Sequence, residues 1–133
     1  MNMQIQGTIL LVEDDDLLSR AYRDGLEKAG YSVMTATDGA EAEKILQEVK
    51  PDLIVLDLVM PVKNGFDVLE DMQKRNAEYR SVPVVVLSVL AERSDVERAR
   101  SLGAVDYLIK SQFSMEEVIS RISYHLRTTR EEK

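Results

Sequence analysis

The chain has 133 residues, 44% of them hydrophobic, which suffices for one domain with its own core and leaves no room for a second. Against 24 acidic residues stand 17 basic ones, and the resulting charge of −7 disfavours direct contact with nucleic acid or an acidic membrane surface. Cysteine is absent, no apolar stretch approaches the roughly 18 residues of a membrane span, and residues 1–7 lack a secretory pattern, so disulfides and thiolate metal sites are excluded and a cytoplasmic protein is expected.

The first apolar run, TILLV at 8–12, reads as a strand and leads straight into Glu13-Asp14-Asp15-Asp16. Asp15 or Asp16 suits the cap of a helix beginning near Leu17, where acidic groups also favour the helix dipole. Gly30 lies just past that helical stretch, at the place of a left-handed terminating residue. The second run, 31–36, partly alternates, as an edge strand does. Asp38 followed by Glu41 is a capping-box spacing that opens the second helix. Runs three and four, 52–56 and 82–87, contain LIVL and VVVL, continuously apolar as central strands covered on both faces are. Gly103 ends a further helical stretch, and the fifth run, 105–109, leads into Lys110. Ser114 with Glu117 opens the last helix, in which Met115, Val118, Ile119, Ile122 and Leu126 form one apolar stripe for burial on the sheet. Residues 127–133 are polar and charged throughout, either a frayed helix end or the start of a linker. Strands alternating with helices predict an α/β fold with a doubly wound parallel sheet.

Four of the five runs deliver a polar group to their C-terminal end: Glu13 and Asp14, then Asp57, Ser88 and Lys110. In an open parallel sheet that edge is where ligands bind, so the recurrence reads as one site. Singly, each residue has a plain structural role as cap, turn or snorkelling lysine. Together, two acids, an isolated aspartate, a hydroxyl and an ammonium suit a divalent metal and a phosphoryl group. A magnesium ion between Asp14 and Asp57 would relieve the repulsion of carboxylates brought together at a buried rim.

VEDD at 12–15, LIVLDLVMPVKNG at 53–65, VVLS at 85–88 and DYLIK at 106–110 resemble the CheY-like receiver domain of two-component response regulators. The likeness covers residues 8–126, within a single domain spanning 1–133. It implies a flavodoxin-like (βα)5 fold whose five-stranded parallel sheet runs in the order 2-1-3-4-5, which juxtaposes Asp14 with Asp57. It further implies that Asp57 is the phosphoacceptor, that Asp14, Asp57 and the Val59 carbonyl bind Mg2+ directly, and that Glu13 acts mainly through water. Lys110 and Ser88 would contact the phosphoryl group, with Ser88 and the inward-turned Tyr107 forming the switch. The donor would be a histidine kinase or phosphotransfer protein. The output surface would be the fourth helix, fifth strand and fifth helix, meeting a downstream protein partner and compatible with a phosphorylation-linked homodimer.

Two positions depart from the family pattern. Ser111 replaces the usual proline after Lys110, leaving either strain or a trans bond there. Val89 replaces a small residue after Ser88, where a β-branched side chain would narrow access. Val59 and Leu90 flank the expected path of attacking water and offer it no hydrogen-bond partner, which predicts slow dephosphorylation. The single histidine, His125, falls late in the last helix and is expected at the surface or an interface. The alternative function is a receiver-like interaction module that works without phosphorylation. A phosphohydrolase with an aspartate nucleophile would carry a second aspartate where Val59 stands.

Overall fold

A computed structural model describes residues 6–75 and 81–131. Five parallel strands, β1 (Thr8–Val12), β2 (Ser32–Ala36), β3 (Leu53–Leu56), β4 (Val84–Ser88) and β5 (Asp106–Ile109), form one sheet in the order β2-β1-β3-β4-β5. Around it lie α1 (Asp16–Lys28), α2 (Gly39–Glu48), α3 (Gly65–Arg75), α4 (Arg93–Ser101) and α5 (Met115–Glu131), with a short 3-10 turn over Lys110–Gln112. The expected fold class and strand order are therefore those of the molecule. Helix α5 continues to Glu131, so the polar segment after Leu126 is helical that far. No helix among the described residues is long and apolar enough to cross a membrane.

Successive side chains on a strand point to opposite faces, and both faces of this sheet are covered. Leu10, Val12, Ile54, Leu56, Val84 and Val86 pack with Leu46, Phe66, Leu69, Met72 and Ala99 of α2, α3 and α4. Ile9, Leu11, Leu53, Val55, Val85 and Leu87 pack with Tyr22 and Leu26 of α1 and with Val118, Ile122 and Leu126 of α5. This is why the central runs show no polar alternation. The α5 stripe lies on the sheet as its spacing predicts, with Met115 and Ile119 packed at its margin.

Strand boundaries differ from expectation by one or two residues, each for a local reason. The Tyr31 amide donates to the Leu26 carbonyl at 3.1 Å and so belongs to the turn that ends α1. Gly30 supplies the left-handed step in that turn, with φ of 104°. Asp52 donates its amide to the Thr8 carbonyl and receives the Thr8 amide on its carboxylate, both at 2.8 Å, a bridge rather than a ladder step. Pro83 has no amide to give, and the fourth strand begins after it. Caps behave as read: Asp15 accepts from Leu18 at 3.1 Å, Asp38 from Glu41 at 2.8 Å, and Ser114 and Glu117 exchange bonds of 3.1 and 2.9 Å.

The loop from Asp57 to Gly65 closes on itself. Gly65 donates to the Leu58 carbonyl at 3.0 Å, and Asn64 caps α3 by accepting from the Asp67 amide at 3.0 Å. A Cβ on Gly65 would stand 2.3 Å from the Asp57 carbonyl oxygen and 2.8 Å from the Leu58 Cα, both rigid backbone atoms. Gly65→Ala should therefore lower stability by about 1–3 kcal/mol, the cost of overpacking a site that cannot give way. An unchanged urea midpoint would show that the loop moves freely.

Candidate functional site

The register aligns Val12 with Leu56 and Leu56 with Val86, so β1 and β3 end side by side while β4 runs on to Ser88. Beyond those ends the ladder persists for one more residue: Glu13 donates its amide to Ala36, and Asp57 to Val12, each at 3.0 Å. Two acids are thereby held in place while still within the sheet. Glu13 is 2% exposed and Asp57 5%, whereas Asp14 faces solvent. One carboxylate oxygen from each of Glu13, Asp14 and Asp57 lies within 4.8 Å of the others.

Lys110 reaches this cluster from the end of β5. Its Nζ donates to Glu13 Oε1 at 2.5 Å and to Asp57 Oδ2 at 3.2 Å. The shorter bond is to Glu13, a partner that strand-end reasoning did not foresee. Glu13 Oε2 accepts the Asp15 amide at 3.1 Å, and Asp57 Oδ1 the Val59 amide at 3.2 Å. Burial pushes the Glu13 carboxyl up to about 7, with Asp57 adding to the effect and Lys110 and the Asp15 amide opposing it. Burial works to lower the Lys110 ammonium, yet Glu13 and Asp57 together hold it above its ordinary range.

Two buried carboxylates thus share one ammonium, with the exposed Asp14 beside them. The donors are all hard oxygens, with no sulfur or imidazole among the acidic group, and they fit a hard divalent cation such as magnesium, which takes one or two carboxylates and keeps several waters. Both oxygens of Glu13 and both of Asp57 already accept hydrogen bonds within the chain.

Ser88, at the end of β4, is fully buried, and its Oγ accepts the Leu90 amide at 3.3 Å. Tyr107 is turned inward, and its hydroxyl donates to the Leu90 carbonyl at 2.8 Å. The backbone of Leu90 therefore joins the two residues, a link that residue types alone do not reveal. The Leu90 side chain packs against the core, while Val59 and Val89 are exposed at 48% and 63%. Ser111 lies exposed in the 3-10 turn, and the Lys110–Ser111 bond, like all those described, is trans.

His125 is more covered than its place in the sequence implies. Its Nε2 lies 2.8 Å from Asp106 Oδ2, which also accepts from Arg121 at 3.2 Å, while Asp106 Oδ1 receives the Tyr107 amide at 2.8 Å. The histidine thus meets the start of β5, whereas Lys110 follows the end of that strand. An acid inside the otherwise apolar fifth run was the available sign of a buried partner.

Burial pushes the Tyr107 phenol from its ordinary 10.0 up to about 12, with Asp95 adding to the shift and Ser88 opposing it. The folded state holds this proton more tightly than the unfolded chain does. Its contribution to stability is complete below pH 10 and is lost as pH rises through about 12. Tyr107→Phe should remove that part of the alkaline loss, a few kcal/mol at about 1.4 kcal/mol per pH unit. Identical slopes of unfolding free energy against pH for the two proteins would refute it.

A family model described as the response regulator receiver domain matches residues 9–123. The DNA-binding dual master transcriptional regulator RpaA of Synechocystis is 36% identical over 121 residues, covering 91% of this chain and 49% of that protein. The Bacillus subtilis alkaline phosphatase synthesis transcriptional regulatory protein PhoP is 37% identical over 119 residues, covering 90% and 48%. The chain thus spans about half the length of these curated relatives. Among solved structures, the receiver domain of Francisella response regulator 1452 superposes with a TM-score of 0.85 at 29% identity, covering 92% of this chain and 98% of that one. The chemotaxis response regulator CheY4 of Vibrio cholerae gives 0.81 at 27% identity, covering 88% and 96%. With its sheet order, its carboxylate cluster and a match to that model over most of its length, the chain belongs to the response regulator receiver domain family of two-component signalling.

Proposed function

We propose that this chain is a phosphorylation-dependent signalling switch that accepts a phosphoryl group on Asp57 from a histidine kinase or phosphotransfer protein. The observation that carries the reading is the shared ammonium: Lys110 bridges Glu13 and Asp57, with Asp14 alongside. A carboxylate oxygen of Asp57 attacks phosphorus and forms a P–O bond. The donor's P–N bond breaks, and its electron pair leaves with the imidazole, which takes up a proton. Magnesium, held by Asp14, Asp57 and the Val59 carbonyl and by Glu13 through water, would supply neutralisation of phosphoryl charge. Lys110 would add its own positive charge, so the step is one of positioning and electrostatics. The chain modifies only itself, and in that sense it is a switch and not an enzyme.

Phosphorylation adds close to two negative charges and new acceptor oxygens at the sheet edge. Ser88, turning its hydroxyl toward them, gives up the Leu90 amide, and the Leu90 carbonyl holds Tyr107. The loop and the ring thereby respond together, and a second packing of the α4–β5–α5 face becomes favoured. That face is the proposed contact for a downstream protein. The acidic balance argues that this chain, as one cytoplasmic domain, touches neither nucleic acid nor membrane.

Intact mass after incubation with acetyl phosphate tests the reading. One phosphoryl adduct should form only with magnesium and should be absent in Asp57→Asn. A folded chain that forms no adduct, with rapid hydrolysis checked, would replace the switch by a constitutive interaction module.

The acyl phosphate should also be long-lived, because Val59 and Leu90 offer attacking water no hydrogen bond. Val59→Asn is the cleaner probe, since Leu90 is packed against the core. It should speed loss of the adduct by roughly tenfold, less than the about 10²–10⁴-fold of a fully positioned general base, since an amide only orients the water. Fast hydrolysis in the parent, unmoved by the substitution, would contradict this.

A further inference from the structure

Val62 has φ of 67°, a left-handed conformation that no other non-glycine residue takes among those described. The Lys63 amide donates to the Pro61 carbonyl at 2.7 Å and closes a three-residue turn around it. A γ-turn with positive φ is strained, the more so at a β-branched residue. Such a conformation persists only where its surroundings impose it. The Val62 side chain is 84% exposed and cannot impose anything.

Lys63 can. Its ammonium lies 2.8 and 2.9 Å from the two carboxylate oxygens of Glu43 on α2 and also bonds Asp71 on α3. Its carbonyl accepts the Gly39 amide at 3.1 Å at the start of α2. A Cβ on Gly39 would stand 2.4 Å from that oxygen, so only glycine permits the approach. The residue next to the strained turn is thus tied to both flanking helices. Without the ammonium, two partly covered carboxylates would face each other across α2 and α3. Burial already pushes the Glu43 carboxyl upward, with Asp71 adding to it.

The turn lies on the loop that leaves Asp57 and closes at the Gly65 to Leu58 bond, and Val59 sits within that closure. We infer that Lys63 is a positioning residue whose clamp across α2 and α3 fixes the Val62 turn and, through it, the Val59 carbonyl and Asp57 for metal binding. The metal part of this inference rests on the proposed function, while the clamp does not.

Two measurements on the full chain by NMR separate them: amide exchange at Gly39 and Gly65, and a Mg2+ titration followed at the Asp57 and Val59 amides. Lys63→Met should speed that exchange and weaken Mg2+ binding, each by about tenfold, the lower end for residues that orient metal ligands from behind. Core amides such as Leu10 and Val55 should keep their protection, and Lys63→Arg should restore most of both effects. If Lys63→Met does not fold, the combination with Glu43→Gln and Asp71→Asn removes the facing charges and permits the same comparison. Exchange within about twofold of the parent would overturn the clamp, and a loosened loop with unaltered Mg2+ affinity, or no restoration by arginine, would overturn the positioning role. A parent chain that shows no Mg2+-dependent shift would overturn the metal role together with the proposed function, leaving the clamp to be decided by exchange alone.

Discussion

The C-terminal edge of the sheet is governed by one electrostatic constraint: more carboxylate is gathered there than Lys110, the ammonium bonded to it among the described residues, neutralises. Glu13 and Asp57 are buried, Asp14 adjoins them, and Lys110 is the ammonium bonded to the group. Desolvated charges need partners, and a cluster with an unmet charge has a standing affinity for whatever supplies the opposite sign. The fold tolerates the arrangement because the acids stand at the rim of an apolar sheet whose two faces are independently packed. The cost is confined to the edge and is set against a core that does not depend on it.

That same topology decides which acids meet. Since β1 lies between β2 and β3, the residues leaving β1 and β3 are neighbours although separated by more than forty positions in sequence. The amide ladder continues through Glu13 and Asp57, so both are positioned by backbone bonds to adjacent strands and not by loop conformation. Lys110 comes from the far edge strand and must span β4 to reach them, which suits a long flexible side chain.

These relations explain how much could be read from residues alone. Apolar runs, caps and terminating glycines carry the element order, because each is a local signal with a local cause, as Asp15, Asp38 and Ser114 illustrate. The polar groups at strand ends were legible for the same reason: the sheet edge is an address that the end of a run defines. Contacts between side chains from different elements have no such address. Lys63 between Glu43 and Asp71, and His125 against Asp106, depend on helix placement that no spacing encodes. The choice of Glu13 as the nearer partner of Lys110 depends likewise on fractions of an ångström.

Helices α4 and α5 differ in how firmly they are held, and this bears on where a signal from the edge can travel. Helix α5 seats Val118, Ile122 and Leu126 in one core, and α1 meets it so closely that a Cβ on Gly25 would lie 2.9 Å from the Ile119 Cδ1. On the opposite face α4 buries Ala99 alone, with Val96 and Leu102 packed at the margin. Tyr107 belongs to this second core, and so does Leu90, whose backbone joins it to Ser88. An element with few buried apolar contacts moves at the lowest free-energy cost. On the proposed reading, a change at Ser88 therefore reaches the helix with the least to lose by moving. On that same reading α1 and α5 would serve as the frame against which α4 shifts, and the α4–β5–α5 face would change its packing without a rearrangement of the sheet.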